Sequence, residues 1–150
     1  MHAVRTGLFP PALIKELRAS VKRLRGHLKA NDKAKYIDED VSFHAALARA
    51  TGNLRLCDVL ENIQNQIWLF RRKTYVLSST TAPDAHDGVV DALEKEDRPA
   101  AEALMSRHIS SVRKTLLEHL AKDQTVAEKS AARKLTLQPG LPESEIRPEV

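Results

Sequence analysis

The stretch Asp40-Val-Ser-Phe-His44 places an acid and an imidazole four residues apart, inside a segment with helical periodicity. Residues i and i+4 of a helix lie one above the other on the same face. The apolar residues that share this face are Ile37, Val41, Leu47 and Ala48. We therefore expect Asp40 and His44 to point inward, where two polar groups are costly to bury unless partners satisfy them.

The composition predicts a soluble, globular chain with a single core. It has 150 residues, of which 42% are hydrophobic and 29% charged, and its net charge is +4 with basic and acidic residues interspersed. That mixture predicts a solvated surface and not a nucleic-acid-binding face. No apolar run approaches the ~20 residues of a membrane span, and residues 1–5 lead into no hydrophobic region of the kind that a signal peptide has. We expect a cytoplasmic protein.

Cys57 is the only cysteine, so the chain cannot form an internal disulfide or a zinc site built on several thiolates. Any metal that binds here is held mainly by nitrogen and oxygen.

Apolar residues at helical spacing predict an all-α antiparallel bundle of about five to six helices, and no segment alternates as a strand would. The predicted helices run from Pro10-Pro11 to Asn31-Asp32, and then over about 33–51, 54–79, 84–97 and 98–121. We expect Asp84 to cap the fourth helix. In the third helix, apolar residues predict one buried face, made of Leu56, Val59, Leu60, Ile63, Ile67 and Phe70.

The helical pattern fades after Lys122, and Pro139-Gly140-Leu141-Pro142 is rich in turn residues. We therefore predict a helical domain over 10–122 and a C-terminal tail over 123–150. The tail is expected to be helical at first and then disordered.

Two further histidines, His86 and His108, occupy inward positions of the fourth and fifth predicted helices. Together with Asp40 and His44 they supply one carboxylate and three imidazoles, a set that suits Zn, Ni, Mn, Fe or Co. Helical bundles hold metals through such inward side chains. A single inward histidine is more often a hydrogen-bonded core residue, however, and spacing alone does not bring three helices together. On spacing alone, a metal site and a set of hydrogen-bonded core histidines both remain open interpretations.

Three stretches, in order, resemble the FCD domain, the C-terminal effector-binding and dimerisation domain of FadR-subfamily GntR transcription regulators. Residues 40–53 are similar to the family's D-x-x-F-H-x-x-L followed by A-x-G-N. Residues 86–93 are similar to H-x-x-x-x-x-A-L, and residues 97–108 to D-x-x-x-A-x-x-x-M-x-x-H. The resemblance covers about residues 12–121.

The resemblance implies that Asp40, His44, His86 and His108 form a metal site, with Zn favoured and Ni, Mn, Fe or Co as alternatives. Many family members have a glutamate immediately before the second histidine, where this chain has Ala85. That difference affects the groups that orient His86. Asp84 and Asp87 are the candidates to replace the glutamate.

The resemblance also implies a homodimer that binds a small carboxylate effector beside or directly to the metal. We select Gln66 and Arg71 of the third helix as effector-binding candidates, because a guanidinium can bind a carboxylate through two hydrogen bonds. The alternative is that both side chains face solvent or a partner subunit.

We therefore predict the ligand-sensing and dimerisation domain of a GntR-type regulator, and not an enzyme or a membrane protein. DNA is expected to be reached only through a winged helix-turn-helix, for which the residues before the first matched helix leave no room. The family's first helix also looks absent or replaced by residues 1–9. The alternatives are a helical-bundle metalloenzyme with a metal-activated water and an interaction domain with a vestigial site.

Overall fold

The computed structural model describes residues 9–78 and 80–136, and within them the fold is all-α, as predicted. The described residues form five helices: α1 (Pro11–Lys29), α2 (Lys33–Ala50), α3 (Leu54–Ser78), α4 (Ala82–Glu94) and α5 (Arg98–Thr136). They contain no strand. None of these helices combines the length and the apolar character that crossing a membrane requires. The predicted absence or replacement of the family's first helix concerns residues 1–9, of which 1–8 lie outside the described part.

The connections between the first three helices follow from local capping chemistry. The Asp32 side chain accepts a hydrogen bond from the Lys35 backbone N–H at 3.2 Å and so caps α2. Gly52, with φ of 69°, takes the left-handed conformation that ends α2. The Asn53 side chain then accepts from the Leu56 N–H at 3.0 Å and caps α3. These short turns place successive helices side by side.

The prediction that Asp84 caps α4 is wrong. The helix begins at Ala82 with Thr81 as its N-terminal flanking residue, because Pro83 fits a first helical turn where its missing N–H costs nothing. Asp84 lies inside that first turn, and its carboxylate pairs with Arg25 at 2.8 Å.

The chain divides into two units, residues 1–116 and 117–150. In the second unit, α5 continues to Thr136 with exposed side chains such as Leu117 and Val126. The helix therefore continues past Ala121, near which the sequence predicts its end. The domain boundary between 122 and 123 stays a prediction, and the expected disorder concerns residues 137–150, which the structure does not describe.

In the first unit, α1 packs against α2 and α4, and α2 also packs against α3. Two hydrophobic clusters result. One joins α1, α2 and α4 through Ile14, Leu17, Val21, Phe43, Ala46 and Val90. The other joins α1, α2 and α3 through Leu24, Tyr36, Ile37 and Tyr75. Along α2, Asp40 lies between Ile37 of one cluster and Phe43 of the other, so a polar residue is buried where the two clusters meet.

The inward face of α3 differs from the predicted one. Of the residues expected there, Leu56, Val59 and Ile63 are 43%, 55% and 48% exposed. The side chains that are buried or partly buried recur at helical spacing as Leu60, Gln64, Trp68, Arg71 and Tyr75. The side chains of Ile67 and Phe70 lie outside the described part. Because this row includes polar residues, a search for apolar periodicity does not find it. The apolar residues that were expected to be buried form a row on the surface instead.

Candidate metal centre

Three histidines from three helices come together in the first unit. His44 lies on α2, His86 on α4 and His108 on α5, and one ring nitrogen of each lies within 4.8 Å of the others. The Nε2 atoms of His86 and His108 are 3.2 Å apart. The convergence that sequence spacing left open is therefore present in the fold.

Asp40 lies against this histidine cluster and is only 2% exposed. Its Oδ1 atom is 3.5 Å from the Nε2 of His86 and 4.0 Å from the Nε2 of His44. Its Oδ2 atom accepts a hydrogen bond from the guanidinium of Arg71 on α3. The carboxylate thus stands between a cation and the imidazoles, with one oxygen directed to each. We refer to Asp40, Arg71 and the three histidines as the polar cluster.

Ring packing holds the imidazoles in place. The His86 ring is fully buried and stacks on Phe43, with ring centroids 4.1 Å apart and planes 6° from parallel. The rings of His44 and His108 stack at 5.7 Å, and His86 packs edge-on to each of them at 4.9 and 4.8 Å. Phe43, which precedes His44 in the sequence, therefore fixes the orientation of a histidine from another helix.

Burial keeps the imidazoles neutral at pH 7. Desolvation lowers the pKa of His44 to about 4, and the neighbouring His108 contributes to the shift. Desolvation, together with His44 and His108, lowers the pKa of His86 to about 2. Burial also lowers the pKa of His108, and the charge of Arg71 acts in the same direction. A neutral imidazole has the free lone pair that a metal ligand needs.

The second ring nitrogen of His86 lacks the partner that the sequence suggested. Its Nδ1 atom is buried and has no hydrogen-bond partner. The proposed replacements for the missing glutamate are used elsewhere, since Asp84 and Asp87 both pair with Arg25, at 2.8 and 2.7 Å. Metal-binding histidines usually donate from this nitrogen to an acceptor. His86 is thus oriented by stacking on Phe43 rather than by a hydrogen bond.

The donor set fits a divalent transition metal. Four ligands about 2.05 Å from a tetrahedral zinc are about 3.3 Å from one another. The distances of 3.2 Å from His86 to His108 and 3.5 Å from His86 to Asp40 are close to this value. The 4.0 Å between Asp40 and His44 is longer and requires a small side-chain adjustment. Three neutral nitrogens and one carboxylate oxygen match the preferences of such ions.

The two effector-binding candidates lie in different surroundings. Arg71 belongs to the polar cluster, whereas Gln66 is exposed and has no described contact with the cluster. The buried glutamine of α3 is Gln64, whose Nε2 donates to the Val41 carbonyl oxygen at 3.4 Å. Sequence reasoning missed Gln64, although it lies four residues after Leu60 and seven before Arg71 on one helical face.

A scan against protein-family models matches residues 6–111, over two thirds of the chain, to the FCD domain. The match confirms the resemblance that the three motifs indicated. No curated protein matches the chain, and no solved structure matches it.

Proposed function

The chain belongs to the FCD domain family, the effector-binding domains of GntR-type regulators, and we propose that it senses a small organic acid at a bound divalent metal. FCD domains are regulatory and not enzymatic. The proposed metal ligands are Asp40, His44, His86 and His108, and Zn is the favoured ion, with Ni, Mn, Fe or Co as alternatives. As part of a transcription regulator, the domain would work in the cytoplasm.

The observation that carries this proposal is the meeting of three neutral, largely buried imidazoles from three helices. A neutral imidazole has one N–H and one nitrogen lone pair, and the 3.2 Å between the Nε2 atoms of His86 and His108 lets one of them donate to the other. Deprotonated nitrogens gathered in this way are also suited to bind a cation among them. A divalent metal would supply that cation, and a metal that accepts five or six ligands would keep a coordination position open for an effector beside the four protein ligands. The metal would in turn link α2, α4 and α5 through His44, His86 and His108.

Arg71 supports the organic acid as the effector class. Its guanidinium lies at the edge of the polar cluster and is 27% exposed, so an anion can reach it from solvent. A planar guanidinium binds a carboxylate by two charge-assisted hydrogen bonds. Gln66 remains in the proposal as a contact for an effector that extends along α3 to the surface, where Gln66 is exposed.

The mechanism we propose is a shift between two packings of the same helices. Residues from α2, α3, α4 and α5 meet in the polar cluster. An effector held by Arg71 beside the histidines favours whichever arrangement of these helices gives it more contacts. The family's effector domains transmit such shifts to a winged-helix domain. That domain would then change how it binds DNA.

The proposal is tested by calorimetric metal titration of the chelator-treated protein. We expect one zinc ion per chain, and a loss of at least about 100-fold in affinity for His86→Ala and for His108→Ala, because each removes a ligand. His119→Ala is the matched control, since His119 lies further along α5 beside Asp123. Zinc affinity unchanged in both ligand variants would contradict the proposal.

We also propose that the domain forms a homodimer, and the exposed apolar row of α3 supports this. Leu56, Val59 and Ile63 recur on one helical face and are each about half exposed. Such a row in water favours association. Sedimentation should show a dimer that Val59→Glu weakens and that Asn65→Glu, an exposed position on another face of the same helix, does not. A monomeric wild-type chain at micromolar concentration would rule the dimer out.

A further inference from the structure

We propose that a groove between α2 and α3 binds a free α-amino acid with a side-chain carboxamide, such as glutamine. The groove has a volume of about 430 Å³, within the roughly 300–1,000 Å³ of small-molecule sites. No residue of the polar cluster lines it. The groove is therefore a site separate from the proposed metal centre and does not depend on it.

Small and apolar side chains form the floor of the groove. Ala45 and Ala48 of α2 line it together with Leu60 of α3. The hydroxyl of Ser42, at the rim, donates to the Asp38 carbonyl oxygen of its own helix at 2.8 Å. Small-molecule sites combine such an apolar floor with a few polar groups that fix the orientation of the ligand. The groove has three polar groups for this purpose, an amide and two charges.

The buried amide of Gln64 is the first of these groups. Gln64 lines the groove and is only 7% exposed. Its Nε2 atom donates to the Val41 carbonyl oxygen at 3.4 Å, which is long for a hydrogen bond. Its Oε1 atom, which the protein does not enclose, has no hydrogen-bond partner among the described residues. A ligand carboxamide can donate to this oxygen and accept from the second N–H of Nε2.

The two charged groups are Arg49 of α2 and Glu61 of α3. Both line the groove and are exposed, and neither side chain has an ion-pair partner in the part of the chain that the structure describes. A guanidinium binds a carboxylate through two hydrogen bonds, and a carboxylate accepts from an ammonium group. Arg49 and Glu61 together therefore match the two charges of a zwitterionic amino acid.

The order of the three groups along the groove selects the side chain of the ligand. The turn at Gly52 joins α2 to α3, and Gln64 contacts Val41, so the two helices are antiparallel. Arg49 lies at the turn end of the groove, about 12 Å along α2 from Val41, and Glu61 comes between Arg49 and Gln64. The carboxylate and ammonium of an amino acid would therefore occupy the turn end, and its side chain would extend toward the amide of Gln64.

Calorimetric titration of the chelator-treated full chain with three ligands tests the chemical class. L-glutamine should bind. L-glutamate should bind at least about 10-fold more weakly, because its side-chain carboxylate has no N–H to donate to Gln64. N-acetyl-L-glutamine, which lacks the ammonium group, should also lose about 10-fold, because Glu61 then has no cation to bind.

Variants test which residues are responsible. Gln64→Leu should weaken glutamine binding and abolish the preference over glutamate, whereas Arg49→Met should weaken both ligands by a similar factor. Arg55→Met is the matched control, since Arg55 is an exposed arginine of α3 that does not line the groove. Cys57, the only cysteine, lines the groove and reports on its occupancy. Saturating glutamine should slow the alkylation of Cys57 by iodoacetamide.

Three results would overturn the proposal. They are no binding of glutamine to the wild-type chain, equal affinities for glutamine and glutamate, and an unchanged rate of Cys57 alkylation at saturating glutamine. The wild-type titrations and the alkylation rate decide the matter if Gln64→Leu fails to fold. Because the protein is free of metal in these experiments, their failure leaves the proposed metal centre intact, and a failure of zinc binding leaves the groove intact.

Discussion

Helix α4 lies between two regions that contain ion pairs, one buried and one on the surface. Its inner face carries His86 into the polar cluster, where Asp40 and Arg71 form a buried ion pair. Its outer face carries a row of carboxylates that pair with two arginines of α1 on the surface. The outer row, which we call the α1–α4 ladder, consists of Arg18 and Arg25 with Asp84, Asp87, Asp91 and Glu94.

The comparison shows that solvent, more than the choice of residues, decides what a charge contributes. In the ladder, the hydrogen bonds that Arg18 donates to Glu94 and Asp91 raise its pKa, and those that Arg25 donates to Asp84 and Asp87 raise the pKa of Arg25. Both arginines stay partly hydrated, so water and salt screen each pair. In the polar cluster, burial lowers the pKa of Arg71. There the charges of Asp40 and Arg71 are stabilised mainly by the few groups that contact them, and little by water.

The largest expected effect is the loss of the buried carboxylate. Asp40→Ala leaves Arg71 without its partner in a largely buried place, and we expect unfolding free energy to fall by about 3 kcal/mol. Asp91→Ala removes a ladder carboxylate from the same chain and should cost less than about 1 kcal/mol. Urea unfolding of the metal-free proteins measures both. Equal losses of unfolding free energy in the two variants would contradict the proposed difference between the polar cluster and the α1–α4 ladder.

The pH dependence of stability should come from the polar cluster. The folded-state pKa values of His44 and His86, about 4 and about 2, lie below the unfolded value, which is about 6.5. The unfolded state therefore binds more protons below that pH, and stability is present above pH 6.5 and lost as the pH falls. The stability that His44 contributes is lost as the pH falls through its folded-state pKa of about 4.

Urea unfolding of the metal-free chain at pH 7.5 and pH 5 tests this sign. We expect lower stability at pH 5, and a smaller difference in His86→Phe, whose ring cannot be protonated. A wild-type chain equally stable at both values would mean that the imidazoles are not buried.

A smaller, stabilising effect is expected at Tyr75, one helical turn after Arg71. Its hydroxyl is buried without a hydrogen-bond partner, in the cluster that Tyr36 and Ile37 share. Tyr75→Phe removes that group and keeps the ring, so stability should rise by about 1 kcal/mol. Thermal unfolding would show this as a higher midpoint. A lower midpoint would indicate that the hydroxyl has a favourable contact.

The smallest effect belongs to the ladder. Arg25→Met should change unfolding free energy by less than about 1 kcal/mol and reduce its dependence on salt. Zinc affinity should stay within about twofold, because the ladder contacts only the outer face of α4. A tenfold loss of zinc affinity would show that the ladder positions His86.

Much of this architecture could be predicted from local sequence. Proline indicated where α1 begins, asparagine and glycine at the connections indicated where α1 and α2 end, and the spacing of Asp40 and His44 placed both on an inner face. The meeting of His86 and His108 with them could not be derived from periodicity, because it depends on how three helices pack. The order of the family motifs supplied that information.

Two features were beyond such reasoning for physical reasons. The inward row of α3 includes Gln64 and Arg71, which a search for apolar residues assigns to the surface. The pairing of Asp84 with Arg25 depends on contacts between helices distant in sequence, so capping rules alone assigned Asp84 the wrong role.

X-ray absorption at the zinc edge tests the metal centre most directly. For the zinc-loaded chain we predict nitrogen and oxygen neighbours at about 2.0–2.1 Å, with the scattering pattern of three imidazoles and no sulfur. His108→Ala should lower the imidazole count or leave no bound zinc. A spectrum of hydrated zinc, or a wild-type chain that binds no metal at any ratio, would contradict the account.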